Sequence, residues 1–211
     1  KIAFTSYATN LVSGDTNGYL DVFVRDRVAG TTVRVSRNSA GVQGNYDSQW
    51  PSMSGGGRYV AFESGANNLV TGDTNKASDV FLHDLNSGTT TRVSLTNADR
   101  QAVMSSGKPA VSADGRYIAF ASESALVSND TNRYNDVFVR DRFTGTTSLV
   151  SVATDGTPGD GDSSTPVITP EGRYVVFVSA ATTLVTGDTN GVYDLFRRDR
   201  GVLPTPKVTA Y

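Results

Sequence analysis

Gly14-Asp15-Thr16-Asn17-Gly18-Tyr19-Leu20-Asp21-Val22-Phe23 reads as a polar loop running into a β-strand, and the chain repeats it three more times. Asp15 has its counterparts at Asp73, Asp130 and Asp188, so the copies lie 58, 57 and 58 residues apart. A period this constant means that one supersecondary unit is stacked on itself, and it sets the architecture before any single residue is interpreted. It also changes how polar residues are read, because a side chain present in every copy is explained first by the scaffold.

Each unit reads as four strands. In the second, Gln49 to Ser54 is short and extended, Gly55-Gly56-Gly57 turns, and Arg58-Tyr59-Val60-Ala61-Phe62 returns as a hairpin. A long polar loop then leads to Asp79 to Asp84, and the Asn86-Ser87-Gly88 turn leads to Thr89 to Ser94. The third unit repeats the scheme with Lys108 to Ser112, Arg116 to Phe120, Asp136 to Arg140 and Thr146 to Ser151. No segment carries a helical period. Four antiparallel strands per repeat, with apolar residues on both faces of the middle two, predict an all-β chain of β-propeller blades that pack face to face. The repeats run approximately 1–47, 48–105, 106–162 and 163–211, within one domain spanning 1–211.

In the third unit, Ser106, Pro109, the run Asp114-Gly115-Arg116-Tyr117-Ile118-Ala119-Phe120, the run Asp136 to Arg142 and Gly145-Thr146-Thr147 together resemble the WD-like repeats of TolB-type propellers. The resemblance covers nearly the whole chain. It implies a bacterial protein placed in the periplasm or outside the cell, and it leaves activity open because propellers host unrelated functions. Departures are visible: Gly56 and Glu171 stand where the turn Asp would be, and Asp199-Arg200-Gly201 runs into Val202-Leu203-Pro204. The first unit begins at Lys1-Ile2-Ala3-Phe4, inside its second strand, so the first blade is expected to lack its inner strand. Pro206 to Ala210 is expected to serve as the last outer strand. An unpaired blade edge is a liability that closed propellers avoid. Three arrangements stay open: part of a longer propeller, a ring completed by another copy or a second fragment, and a strained four-bladed ring.

Composition narrows the function. The 211 residues are 37% hydrophobic with a net charge of −2, a foldable balance without the basic stripe of a nucleic-acid binder. There is no Cys, which excludes disulfides and thiolate chemistry, and no apolar run long enough for membrane insertion. One His excludes a His-rich metal site, and His83 occupies a repeat position held elsewhere by Arg25, Arg140 and Arg197, which suits a structural role. These three Arg are expected to pair with carboxylates of adjacent blades. No pair of carboxyl groups stands out for glycoside hydrolysis, although Glu63 and Glu123 follow Phe62 and Phe120 at similar places.

The repeated loop offers Asp15, Asn17 and Asp21; Asp73, Asn75 and Asp79; Asp130, Asn132 and Asp136; and Asp188, Asn190 and Asp194. Clustered carboxylate, amide and carbonyl oxygens suit calcium. The same residues suit Asx turns that hold a long connection without any ion, and this reading is favoured because three side chains fall short of about six to eight oxygens. Strand order places all four loops on one face of the disk, together with the links between repeats, which differ most from copy to copy. Trp50, Tyr46, Gln49, Arg100 and Lys108 are the candidate ligand-binding residues there. The reading that follows is a non-catalytic propeller module, ion-stabilised if the loops hold calcium, that presents its variable loops to protein or carbohydrate. The alternative is the propeller domain of a larger hydrolase, a peptidase or a carbohydrate-active enzyme.

Overall fold

The computed structural model describes residues 1–201. Fourteen strands form four antiparallel sheets, with no helix among the described residues. The first blade is β1 (Ile2–Ser6), β2 (Asp21–Asp26) and β3 (Thr31–Arg34). The second is β4 (Ser48–Met53), β5 (Tyr59–Ser64), β6 (Asp79–Asp84) and β7 (Thr90–Arg92). The third is β8 (Ser106–Val111), β9 (Tyr117–Ser122), β10 (Asp136–Asp141) and β11 (Thr146–Leu149), and the fourth is β12 (Ser163–Ile168), β13 (Tyr174–Ser179) and β14 (Asp194–Asp199). Within each sheet the strands pair in sequence order, the up-and-down meander of a propeller blade. The first blade lacks the inner strand that β4, β8 and β12 supply to the others. The expected strand at Pro206 to Ala210 lies outside the described residues.

Each blade is closed by the same apolar pair across its middle strands. Phe4 faces Phe23, Phe62 faces Phe81, Phe120 faces Phe138 and Phe177 faces Phe196, with ring centroids 5.8, 5.9, 6.0 and 5.9 Å apart. Offset aromatic pairs at this separation add to the area that they bury. Between blades lie three apolar clusters, one per interface. Val22, Val24 and Val35 meet Phe62, Leu69 and Phe81. Leu82 and Val93 meet Ile118 and Phe120, and Val137, Val139 and Val150 meet Val175 and Phe177.

A second device stitches neighbouring blades. The Tyr59 ring lies between Arg58, 4.8 Å from its centroid, and Arg142 of the third blade at 4.4 Å; the Tyr117 ring lies between Arg116 at 4.8 Å and Arg200 of the fourth at 4.7 Å. The next blade's hairpin turn presses on the same ring. A Cβ on Gly115 would collide with Tyr59 and one on Gly172 with Tyr117, and both glycines are left-handed, with φ of 75° and 80°. Glycine is therefore required at these turns twice over.

The stack has two open ends. Every residue of β9 and β10 is buried, whereas β13 and β14 alternate and Leu195 is 72% exposed. Closely packed strand pairs among the described residues run from blade one to two, two to three and three to four, with none from four back to one. The described residues form an arc of a propeller.

Candidate functional site

The repeated acidic loop is built in the same way in the first two blades. Asp21 opens β2 with no solvent exposure; its Oδ1 accepts from the Ser36 hydroxyl at 2.5 Å and its Oδ2 accepts from Asn17 Nδ2 at 2.9 Å. Arg34 Nη1 then lies 3.1 Å from Asp15 Oδ1 and 3.2 Å from Asp21 Oδ2, so one guanidinium neutralises both carboxylates. In the second blade Asp79 takes the Ser94 hydroxyl at 2.5 Å and Asn75 Nδ2 at 3.1 Å, while Arg92 reaches Asp73 at 3.0 Å and Asp79 at 3.4 Å. Burial pushes the Asp73 and Asp79 carboxyls up, and Arg92 opposes the shift in both. Gln43 and Gln101 complete the clamp: each bonds the backbone amide and the hydroxyl of the loop Thr, Thr16 or Thr74.

The third blade keeps the acids and loses their partners. Leu149 stands where Arg34 and Arg92 stand, and Pro158 stands where Gln43 and Gln101 stand. Asn129 replaces the left-handed Gly14 and Gly72, and its φ is not positive. Ser151 still donates to Asp136 Oδ1 at 2.6 Å, and Asn132 Nδ2 keeps the link-carbonyl bond that Asn17 and Asn75 make to Gly44 and Ala102, here to Gly159 at 3.0 Å, without their second bond to the Asp. Asp130 Oδ1 and Asp136 Oδ2 are buried without a hydrogen-bond partner, in residues 8% and 0% exposed. Burial, followed by the charge of Asp136, pushes the Asp130 carboxyl up to about 6. In the fourth blade Asn190 donates to Asp194 Oδ2 at 2.7 Å, and Asp188 is half-buried. Among the described residues no three His, Asp or Glu side chains converge to hold a metal ion.

The candidate ligand residues divide into three places. Trp50 and Lys108 lie on the innermost strands, at β-bulges just before Pro51 and Pro109, and Thr165 repeats the arrangement before Pro166. All three are left-handed, with φ of 52°, 49° and 53°, and all three are exposed. A non-glycine residue held there costs about 1–3 kcal/mol. Gln49 joins this set, donating to Glu63 Oε1 at 3.1 Å, while Glu63 Oε2 accepts the Lys108 amide at 3.2 Å. Tyr46 lies apart on a link, its ring 5.3 Å from Tyr19 and pressed on Gly65. Arg100 lies apart again, lining a shallow cavity of about 690 Å³ with Val70, Thr71 and Gln101.

The sequence did not single out the carboxylates beside the inner strands as a site. Glu63 and Glu123 line one cleft of about 180 Å³ with Lys108, Ser105 and Ser106. Their similar positions after Phe62 and Phe120 were the available signal. The sequence also missed a scaffold pair: Arg58, Arg116 and Arg173 each grip the Asp ending their blade's third strand, Asp84, Asp141 and Asp199, with both nitrogen–oxygen distances between 2.7 and 3.0 Å. Arg58 holds Asp84 well below the usual carboxylate range, and Arg173 brings Asp199 down to about 2. Of the three Arg expected to bind adjacent blades, Arg140 does so through Asp99. Arg25 bonds Thr32 of its own blade, and Arg197 lies over Tyr174 of its own blade; the register places Arg198, not Arg197, at the position of Arg25, His83 and Arg140, and Arg198 Nη1 donates to the Val152 and Ala153 carbonyls of the third unit. His83 is fully buried with Nδ1 2.8 Å from the Thr90 hydroxyl; burial, then the Arg37 charge, lowers its pKa to about 4.

No protein-family model matches the sequence, and no curated protein matches it. Solved structures do match its shape. TolB from Agrobacterium tumefaciens superposes with a TM-score of 0.54 at 18% identity, over 92% of this chain and 60% of that one. TolB from Acinetobacter baumannii gives 0.51 at 16% identity, over 89% and 37%, and the tricorn protease gives 0.50 at 12%, over 86% and 15%. The chain thus spans about 60% or less of the length of the structures it matches. Its four consecutive blades share the fold of TolB-type β-propellers.

Proposed function

We propose that this propeller module is a non-catalytic binding unit that presents its inner-strand residues and variable links to a protein or carbohydrate partner, outside the cytoplasm as the TolB-type resemblance implies. One observation carries the reading. The acids of the first two loops and the Arg–Asp pairs of blades two to four are engaged in scaffold bonds, whereas Trp50 and Lys108, which differ at one repeat position, are exposed on adjacent inner strands beside Glu63. An exposed Trp 55% open to solvent, next to a cleft with two carboxylates and an ammonium, supplies a flat apolar platform and hydrogen-bonding groups at its edge. His83, the one His, is occupied inside the second blade and cannot serve an exposed nucleophile.

Glycan and peptide arrays probed with the wild-type chain and with Trp50→Ala and Lys108→Ala test this. Binding that both variants weaken, with the ligand recovered intact, is the expected result. Turnover of a bound glycan that Glu63→Gln or Glu123→Gln abolishes would replace it with a glycosidase reading. The similarity to part of the tricorn protease favours a second reading, a propeller domain within a larger hydrolase. In that case the isolated module would bind peptides and leave them uncut.

A further inference from the structure

We propose that the third blade's loop binds one calcium ion between the Asp130 and Asp136 carboxylates, in the place that an Arg guanidinium fills in the first two blades. The first two loops define the place. Arg34 reaches both carboxylates of its loop from a single nitrogen, and Arg92 spans the equivalent pair, so the fold brings these two acids within reach of one positive centre. The third loop keeps both acids and has Leu149, packed against the neighbouring apolar cluster, in the Arg position.

The orphaned atoms point to the same spot. Asp136 Oδ2 is the counterpart of the one Asp21 oxygen that Asn17 and Arg34 both contact, and it accepts no hydrogen bond, although the nearby Asn132 amide favours its charged form; Asp130 Oδ1 is the counterpart of the Asp15 oxygen on Arg34, and it accepts none either. Asp162, whose carboxylate takes the Asn135 amide at 2.9 Å, adds negative charge nearby. Buried carboxylates with unused lone pairs are expected to be paired or to coordinate a metal. An all-oxygen donor set suits a hard cation, and calcium accepts the irregular mixture of two carboxylates, loop carbonyls and water that a surface loop can offer better than magnesium, which demands a near-octahedral shell. Calcium binding here involves none of Trp50, Lys108 or Glu63, so it stands or falls separately from the binding-module reading.

Calorimetric titration of chelator-treated protein with calcium chloride at pH 7.5 tests the proposal directly, using the wild-type chain, Asp130→Asn and Leu149→Arg. The expected result is one calcium per wild-type chain. Affinity should fall by more than about tenfold in Asp130→Asn, because one of two charged ligands is gone, and binding should vanish in Leu149→Arg, whose guanidinium takes the site. Each variant is compared only if it unfolds cooperatively in chelator, and one folded variant suffices. Absence of binding to the wild type, more than one ion per chain, or unchanged binding in a folded variant would overturn it.

Discussion

The loops of the second and third blades have the same acids at the same spacing and solve the same electrostatic problem differently. In the second, Arg92 on the outer strand closes the buried Asp73 and Asp79 pair, and Gln101 ties the loop Thr in place. In the third, Leu149 and Pro158 remove both devices, and two carboxylate oxygens are left buried without partners. The difference teaches that a repeated motif is not a repeated site. What decides the chemistry of the Asp-Thr-Asn loop is the residue contributed by the next strand.

Removing the guanidinium should have the largest effect. Arg92→Leu leaves Asp73 and Asp79 as uncompensated buried charges, and is expected to cost about 3–5 kcal/mol of stability at neutral pH in chelator, measured by urea denaturation. A loss below about 1 kcal/mol would mean that solvent screens the pair as it does a surface ion pair.

The pH dependence of the third loop comes next. Asp130 has its folded pKa raised to about 6, against about 3.9 for an unfolded Asp, so the folded state binds the proton more tightly. The cost of its charge is fully present above pH 6 and disappears as pH falls toward about 4. In chelator, Asp130→Asn should therefore be more stable than wild type by about 1–3 kcal/mol at pH 7.5, with the gap closing on acidification through that window. His83 works in the opposite direction. Its depressed pKa contributes stability above about 6.5 that is lost as pH falls toward about 4, and it cancels in this difference because both proteins carry it. A gap that widened at low pH would contradict the assignment.

The smallest effect is expected from Gln101→Ala, which removes the two exposed bonds to Thr74 and the one that Arg92 Nη1 donates to Gln101 Oε1, and should cost about 0.5–1.5 kcal/mol by thermal unfolding. An equal loss from Pro158→Ala would show that the Gln clamp is not what distinguishes the two loops.

Much of the fold was legible because the period was. Asp79 to Asp84 was read to the residue as a strand, and the stacked Phe62–Phe81 pair follows from two alternating runs brought into register by a hairpin scheme. The ends of other strands moved by one or two residues, as with Tyr59–Ser64 in place of Arg58 to Phe62, since turn geometry rather than hydrophobicity ends a strand. The missing inner strand of the first blade was visible from Lys1-Ile2-Ala3-Phe4 alone.

The site was less legible. Arg34 and Arg92 lie 13 residues beyond the Asp they neutralise, across a turn, and looked like ordinary outer-strand residues. The usable signal was their absence in the third copy, where Val33-Arg34-Val35-Ser36 and Thr91-Arg92-Val93-Ser94 give way to Ser148-Leu149-Val150-Ser151. Glu63 and Glu123 were hidden for another reason. Their cleft joins residues from neighbouring blades, and only packing brings the Lys108 amide onto Glu63.

If the third loop binds calcium as proposed, the outer-strand residue sets whether an acidic loop carries its own cation or takes one from solution. Calcium titration of Arg92→Leu tests it most directly, because that change makes the second loop resemble the third. Two calcium ions per chain are expected in the variant against one in the wild type, with calcium restoring the lost stability by mass action. A variant that still binds one ion, and stays destabilised in calcium, would contradict it.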